Sequence, residues 1–316
     1  MNDPLWNAIF SRVSTRSFDA GALDGLVREA LLAAMKRYEG EGPFGAKVRF
    51  ALVEGEGSGR PARMGTYGLI SGASAYLAAV VTRGPGAMED LGRSAEGVVL
   101  EATAAGLSSC WIGGVFNRAR AGLTAAARPD EIVPAVIALG MQARRRSIAD
   151  RVVTGAARAR TRKAADELFF SVAPGGELVA CDRDCFPEAG PEAAPQAWEN
   201  ILEAVRIAPS ASNKQPWRLI TFPRVTGLGG WLFCMAEDKV YNSALGEAKM
   251  QDIDMGIAMR HFEEACRVFG VSGHWVVPDD AGAAAAVFTA TTALVAPAAA
   301  AAKSRGWTPI VAWIPR

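Results

Sequence analysis

The chain repeats part of itself. Residues 90–111 align without a gap on residues 254–275. Asp90-Leu-Gly-Arg opens the first copy and Asp254-Met-Gly-Ile the second, while Gly106-Leu-Ser-Ser-Cys-Trp111 closes the first and Gly270-Val-Ser-Gly-His-Trp275 the second. The register stays at 164 residues from the first position (90 to 254) to the last (111 to 275). Leu91, Val98, Ala102 and Ala105 in one copy, and Met255, Phe262, Cys266 and Phe269 in the other, recur at helical spacing. Each copy therefore predicts a buried helix that ends at a glycine and enters a strand near its tryptophan. The likeness extends loosely upstream. Leu23, Leu26, Val27, Ala30 and Leu31, then Pro43 and Val48–Val53, parallel the helix–Pro–strand order of residues 198–221. Between the copies, residues 171–197 are rich in Pro, Gly, Ala and acid and read as a linker. The expected organisation is thus an N-terminal half 1–170, a linker 171–197 and a C-terminal half 198–316.

Bulk properties narrow the function. A length of 316 residues fits one large or two small units, and 50% hydrophobic residues suffice for a sizeable core. A net charge of +1 gives no electrostatic reason to expect nucleic acid or an anionic membrane as partner. The opening Met-Asn-Asp-Pro-Leu-Trp shows no basic stretch followed by an apolar one, so no secretory signal is expected. Five scattered cysteines then predict reduced thiols in a cytoplasmic protein. Residues 281–302 carry no charge, but they are mostly Ala with several Thr and Pro297, less apolar than a membrane span requires. Val287–Val295 reads as a buried strand and Ala298–Lys303 as a short helix or loop. Cys181 and Cys185 lack a second pair, and His261 with Glu264 on a helix is a weak pattern, so no metal is expected. There is no Gly-x-Ser-x-Gly elbow for a Ser/His triad.

The motif with most chemical content is Ala208-Pro-Ser-Ala-Ser-Asn-Lys-Gln-Pro-Trp217. It follows an amphipathic helix, Trp198–Ile207, and precedes an apolar run from Leu219, with Pro209 ending the helix. Hydroxyls and amides from Ser210, Ser212, Asn213 and Gln215 gather in a loop bracketed by prolines, which suits a flat, hydrogen-bonding ligand better than a metal. The string resembles the flavin-contacting Pro-Ser-x-x-Asn-x-Gln-Pro-Trp segment of the FMN-dependent nitroreductase family. Arg12-Val-Ser-Thr-Arg16-Ser-Phe18 resembles that family's opening Arg-x-Ser-x-(Arg/Lys)-x-Phe. Gly106-Leu-Ser-Ser-Cys-Trp-Ile-Gly-Gly114 resembles its Gly-Leu-Gly-Thr-Cys-Trp-Ile-Gly. A fourth likeness runs from Val133-Pro134 through Ala138-Leu-Gly140 to Arg162-Lys163 ahead of Asp166-Glu167-Leu168.

The resemblance implies an α+β nitroreductase-like fold and FMN as cofactor. The two ligand-binding strings are complementary: the first half keeps the Arg-x-Ser-x-Arg opening and lacks the Pro-Ser loop, and the second half has the reverse. In ordinary members two identical subunits intertwine and share each flavin. Here the resemblance is to the single-chain branch of the family, with two degenerate subunit-like halves fused as an intramolecular pseudo-dimer. The expectation is a monomer with one FMN per chain. By the same resemblance Arg12 and Ser14 hold the phosphate, with Arg162 or Lys163 added. Arg16 meets the pyrimidine edge, where reduction places negative charge. Pro209, Ser210 and Ala211 line the ring, and Asn213 reaches the same edge or the ribityl chain. The backbone of Gly113 and Gly114 lies near flavin N5, where some relatives carry a Glu in place of Gly113. No side chain is expected to act as acid or base, since the cofactor carries the chemistry. The implied cycle is ping-pong: hydride passes from NADH or NADPH through flavin N5 to a small nitroaromatic or quinone-type acceptor. The alternatives are a flavin-binding protein of the same fold without reductase activity, which would fragment or sense the flavin, and a degenerate non-catalytic scaffold. Trp111 stands where it would wall the site, but its repeat partner Trp275 argues for core packing.

Overall fold

A computed structural model describes residues 2–55, 63–66, 68–144, 161–188, 192–194, 196–225, 228–277 and 285–315. In the first stretch of chain the helices are α1 (Pro4–Ser11), α2 (Gly25–Tyr38), α3 (Ala87–Ala104) and α4 (Arg118–Thr124). The strands there are β1 (Gly40–Glu41), β2 (Lys47–Glu54), β3 (Ala75–Thr82), β4 (Ser108–Ile112) and β5 (Glu131–Gly140). Further on come β6 (Phe169–Val172), β7 (Leu178–Ala180), β8 (Trp217–Val225), β9 (Leu228–Met235), β10 (Gly273–Val276) and β11 (Thr308–Pro315). They are interleaved with α5 (Ala197–Arg206), α6 (Lys239–Ser243), α7 (Met250–Phe269) and α8 (Ala285–Ser304).

These elements form two compact units. Unit 1 combines residues 1–161 with 209–214 and 240–260, and unit 2 combines 162–208, 215–239 and 261–316. The units do not coincide with the stretches 1–170 and 198–316. The loop after α5 and the first eleven residues of α7 join unit 1, and residues 162–170 join unit 2. Residues 171–197 are not a bare linker either. They hold the end of β6 and the whole of β7, which pair antiparallel about Ala173-Pro-Gly-Gly-Glu177. The Pro and Gly that suggest a linker make the hairpin turn, where Gly176 N–H donates to the Ala173 carbonyl and Ala173 N–H to that of Glu177. Phe170 and Leu178 bury the hairpin's apolar side.

Unit 1 is built on an antiparallel sheet of order β1-β2-β3-β5-β4. β3 reads Ala-Tyr-Leu-Ala-Ala-Val-Val-Thr and is buried along all but its last residue. Tyr76, Ala78 and Val80 join Phe18, Ile112, Phe116 and Val136 in one cluster, and α3 packs against β2, β3 and β4. Asp3 caps α1 by accepting from Leu5 and Trp6 N–H, and Asp24 caps α2 in the same way from Leu26 and Val27.

Unit 2 has a sheet of order β10-β11-β9-β8-β6-β7, antiparallel except for the β6–β8 pair. On one face Ala298, Ala301 and Ala302 of α8 meet Ile220, Leu232 and Ala312. An aromatic cluster joins the buried Trp198, Trp231, Phe233, Phe262 and Trp313 with the half-buried Trp275 at ring separations of 4.9–6.0 Å. Such pairs add about 0.5–1.5 kcal/mol each beyond their buried area. His261 is a core residue whose Nδ1 lies 2.9 Å from the Ala204 carbonyl. Val287–Val295 is helical, as part of α8, and not a strand. The local β-branched residues are outweighed by the surrounding alanines, the best helix formers, and the helix runs on through Pro297. Among the described residues no helix is long and apolar enough to cross a membrane.

The repeat is structural as well as sequential. The order β2-β3-β5-β4 in one sheet matches β8-β9-β11-β10 in the other. Each set follows a helix, and each has a long helix between its second and third strands in sequence. α3 and α7 both end at a left-handed glycine, Gly106 (φ 87°) and Gly270 (φ 72°), before the short strand that carries Trp111 or Trp275.

Candidate functional site

Within unit 1, α3 and the first turns of α7 cross at two glycines that correspond in the repeat (92 to 256). A Cβ on Gly92 would strike the Ile253 carbonyl oxygen, and a Cβ on Gly256 would strike that of Glu89. Ile253 and Glu89 are themselves repeat partners (89 to 253), so the crossing has an approximate two-fold character. Arg260 Nε donates to the Arg93 carbonyl at 3.0 Å, and its guanidinium stacks 4.8 Å from the Tyr38 ring centre.

Beside this crossing lies a cleft with about 580 Å³ of atom-free space, part of it open to solvent. Three pieces of chain wall it. Ser14 and Arg16 come from the segment after α1, which is pinned by a parallel bridge from Ser14 to Ser109 and by Thr15 N–H donating to the Ser109 carbonyl at 2.9 Å. Cys110, Trp111 and Gly113 come from β4 and its exit. Pro209, Ser210, Ala211 and Ser212 form the third wall, backed by Met250, Ile253, Asp254 and Ile257 of α7.

The loop is held in an uncommon backbone shape. Ser212 (φ 50°) and Asn213 (φ 55°) are both left-handed, a state that costs non-glycine residues on the order of 1 kcal/mol or more each. Contacts to three neighbouring segments help to hold it. Ala211 N–H donates to Asp254 Oδ1 at 2.9 Å, and the Ser212 hydroxyl meets the Tyr241 hydroxyl at 3.0 Å. Asn213 Nδ2 donates to the Thr161 carbonyl at 2.9 Å, and Lys214 Nζ sits 5.2 Å from the Tyr241 ring centre.

Six of the residues expected from sequence thus meet at one cleft: Ser14, Arg16, Gly113, Pro209, Ser210 and Ala211. The others are not among the residues that line it. Arg12 is buried next to the fully buried Glu96, with Nε 3.9 Å from Oε1, and its Nε and Nη1 have no hydrogen-bond partner among the described residues. Glu96 also accepts from the Trp111 indole N–H at 2.8 Å. Gly114 is not on the cleft wall and lies near Leu245. The Asn213 amide faces Thr161. Arg162 and Lys163 belong to unit 2, where the Arg162 guanidinium donates to the Ile207 carbonyl and Lys163 N–H to Gln215 Oε1. Trp111 is a cleft wall, whereas Trp275 packs in the aromatic cluster of unit 2.

Cys110, Met250, Ile253, Asp254 and Ile257 also line the cleft and were not expected there. One signal was available for Asp254. It sits between Met250 and Ile257 at helical spacing, a lone acid on the apolar face of a buried helix. Its carboxyl is buried, and that burial drives its pKa well above the ordinary carboxylate value. Asp252 adds to that rise, and the Ala211 N–H opposes it.

The donor set on the cleft fits a flavin: Ser14 brings a hydroxyl and Arg16 a guanidinium. Arg12, off the cleft wall, carries buried donors without a partner among the described residues. Gly113 stands on the cleft wall with the Met250 sulfur packed where a Cβ would be. The lining combines apolar side chains, among them Met250, Ile253 and Ile257, with a few polar groups, Ser14, Arg16 and Ser210, as a site for a flat polar ring needs.

The comparisons agree with this architecture. The family described as "Putative TM nitroreductase" matches residues 4–174 and 186–266. A "putative nitroreductase" from Thermotoga maritima shares 17% identity over 87% of this chain and 90% of its own, with a TM-score of 0.50. An FMN-dependent nitroreductase from Clostridium difficile shares 15% identity over 44% of this chain and 88% of its own, with a TM-score of 0.35. No curated protein matches. With the family match running over most of both halves, the chain belongs to the "Putative TM nitroreductase" family.

Proposed function

We propose that the chain is an FMN-dependent oxidoreductase of the nitroreductase type, a monomer whose two subunit-like halves act as an intramolecular pseudo-dimer with one flavin site. The observation that carries this reading is the cleft of unit 1, where Ser14 and Arg16 share a wall system with Pro209, Ser210 and Ala211 from the far end of the chain. When bound, FMN would supply two-electron chemistry, taking hydride at N5 from NADH or NADPH and delivering it to a small nitroaromatic or quinone-type acceptor in a ping-pong cycle.

The chain's own residues provide placement and charge. Arg12 and Ser14 hold the phosphate, with the planar guanidinium giving paired donors and Glu96 fixing its position. Arg16 stands at the pyrimidine edge, where a fixed cation favours the reduced form. Pro209, Ser210 and Ala211 lie along the ring. Gly113, with Gly114 behind it, lets the backbone approach N5 closely. Asn213 is assigned to shaping the loop through Thr161.

The repeat supports a single site. At the position corresponding to the Pro-Ser loop, residues 42–46 fold down onto Asp90, which accepts from Phe44 and Ala46 N–H. A Cβ on Gly42 would strike Asp90, and one on Gly86 would strike the Phe44 ring. The direct test is to saturate the purified protein with FMN, remove the excess and count flavin per chain. NADH and NADPH oxidation is then followed with a nitroaromatic and a quinone. About one flavin per chain with turnover is expected. Two per chain would refute the single site, and flavin binding without nicotinamide oxidation would remove the reductase assignment.

A further inference from the structure

Asp90 and Asp254 open the two copies of the repeat, and each receives backbone N–H from a loop that leads into a sheet, Asp90 from the loop after α2 and Asp254 from the loop after α5. They spend their oxygens differently. Asp90 accepts Phe44 N–H on both oxygens, at 3.2 Å each, and Ala46 N–H on Oδ2 at 3.0 Å. Asp254 accepts one bond, from Ala211 N–H on Oδ1, and Oδ2 has no hydrogen-bond partner among the described residues. That oxygen is buried, on a residue only 2% exposed that lines the cleft. A buried acceptor left unpaired costs about 1–3 kcal/mol. Of the two aspartates, the one that lines the cleft is the one that leaves a carboxyl oxygen without a partner among the described residues.

We propose that Asp254 is a cofactor contact: resting on the flavin reading above, its carboxyl stands in the acid form and donates its Oδ2 proton to an acceptor atom of the bound flavin, while Oδ1 anchors the loop. A carboxylate at this position would bring an unpaired negative charge against the acceptor-rich ring, and a carboxylic acid brings a donor. Burial favours the neutral form. The charged and titratable groups around it are Asp252, two residues upstream, and Arg16 and Cys110 on the facing cleft walls. Asp252 raises the Asp254 pKa, in the direction of the acid form. The acid thereby joins the floor of the cleft to the loop that forms its side, so that one residue both shapes the site and reads the ligand.

The test is infrared difference spectroscopy of the whole chain, FMN-bound minus apo, on the wild type, Asp254→Asn and Glu89→Gln. FMN binding is measured in parallel by fluorescence quenching. The expected result is a carboxylic-acid C=O band that moves to lower frequency when FMN binds. It should vanish in Asp254→Asn and persist in Glu89→Gln, which removes another acid of unit 1 whose pKa burial raises. Asp254→Asn should retain FMN within about threefold, because its amide still accepts from Ala211 and still donates. An acid band that FMN leaves unmoved, or one that survives Asp254→Asn, overturns the proposal. If Asp254→Asn does not fold, the Glu89→Gln and wild-type spectra decide: no moving acid band in either overturns it. A wild type that binds no FMN at all would instead remove the flavin reading beneath it.

Discussion

The two copies of the repeat began from one plan and were put to different uses. In the first, the loop after α2 closes on Asp90, and the Phe44 ring covers Gly86. In the second, the loop after α5 arches over Asp254 with two left-handed residues and leaves open space beneath. The tryptophans diverge in the same way, Trp111 to a cleft wall and Trp275 to a core cluster. Secondary structure and strand order stayed common to both. Side-chain satisfaction did not, which locates specialisation in a few loop and helix-face residues and not in the framework.

The crossing glycines give the sharpest test of that shared framework. Gly92→Ala and Gly256→Ala each push a methyl into a backbone carbonyl, which cannot swing away as a side chain can. Each should cost about 3 kcal/mol, the upper end for overpacking, and the two costs should agree within about 1 kcal/mol. Urea unfolding of both variants measures this. A large inequality would break the two-fold equivalence of the crossing.

Glu89 and Ile253 are repeat partners with opposite polarity. Burial, reinforced by Asp252, raises the Glu89 pKa from 4.5 to about 8. The folded state then holds its proton while the unfolded state releases it, so this residue subtracts stability as pH climbs from about 4.5 to about 8 and no more beyond. Glu89→Ile should remove that slope, with a gain of several kcal/mol at about pH 9 and little change at about pH 4. Thermal melts across pH report it. An unchanged slope would mean that the penalty lies elsewhere.

At the cleft, Gly113→Ala would press on the Met250 sulfur, a flexible neighbour that can yield. FMN affinity should fall about tenfold, equivalent to ~1.4 kcal/mol, with little loss of stability. Adding Met250→Ala should restore most of it, and non-additivity in that double-mutant cycle is the readout. The smallest contrast concerns the helix-ending glycines. Gly106→Ala meets no atom within 4 Å and should cost only the left-handed strain, about 1 kcal/mol. Gly270→Ala also meets the Glu192 carbonyl oxygen at 2.6 Å and should cost more. Equal losses would remove that distinction.

The helix and strand of each repeat were legible because helical periodicity and a terminal glycine are local signals. The same locality explains the errors. Pro174, Gly175 and Gly176 look alike in a linker and in a hairpin, and only Phe170 and Leu178 finding a sheet decides between them. Val287–Val295 has strand-like side chains inside an alanine-rich context that favours a helix. At the site, Ser14, Arg16, Gly113 and Pro209–Ala211 were named from motifs and share a cleft. Asp254 was visible only as a repeat marker, because the significance of its free oxygen depends on which N–H groups the loop delivers to it. Nor does sequence reveal that Arg162 and Lys163 fall outside unit 1.

Unit 1 draws on three separated stretches of chain, the last ending at residue 260. On the ribosome the first 161 residues emerge with their sheet strands complete but with the cleft missing one wall and its floor. Under the flavin reading, capture of the cofactor must therefore wait until α7 has left the exit tunnel. The nascent chain has to keep that exposed face from other partners for about ten seconds or more at ordinary synthesis rates.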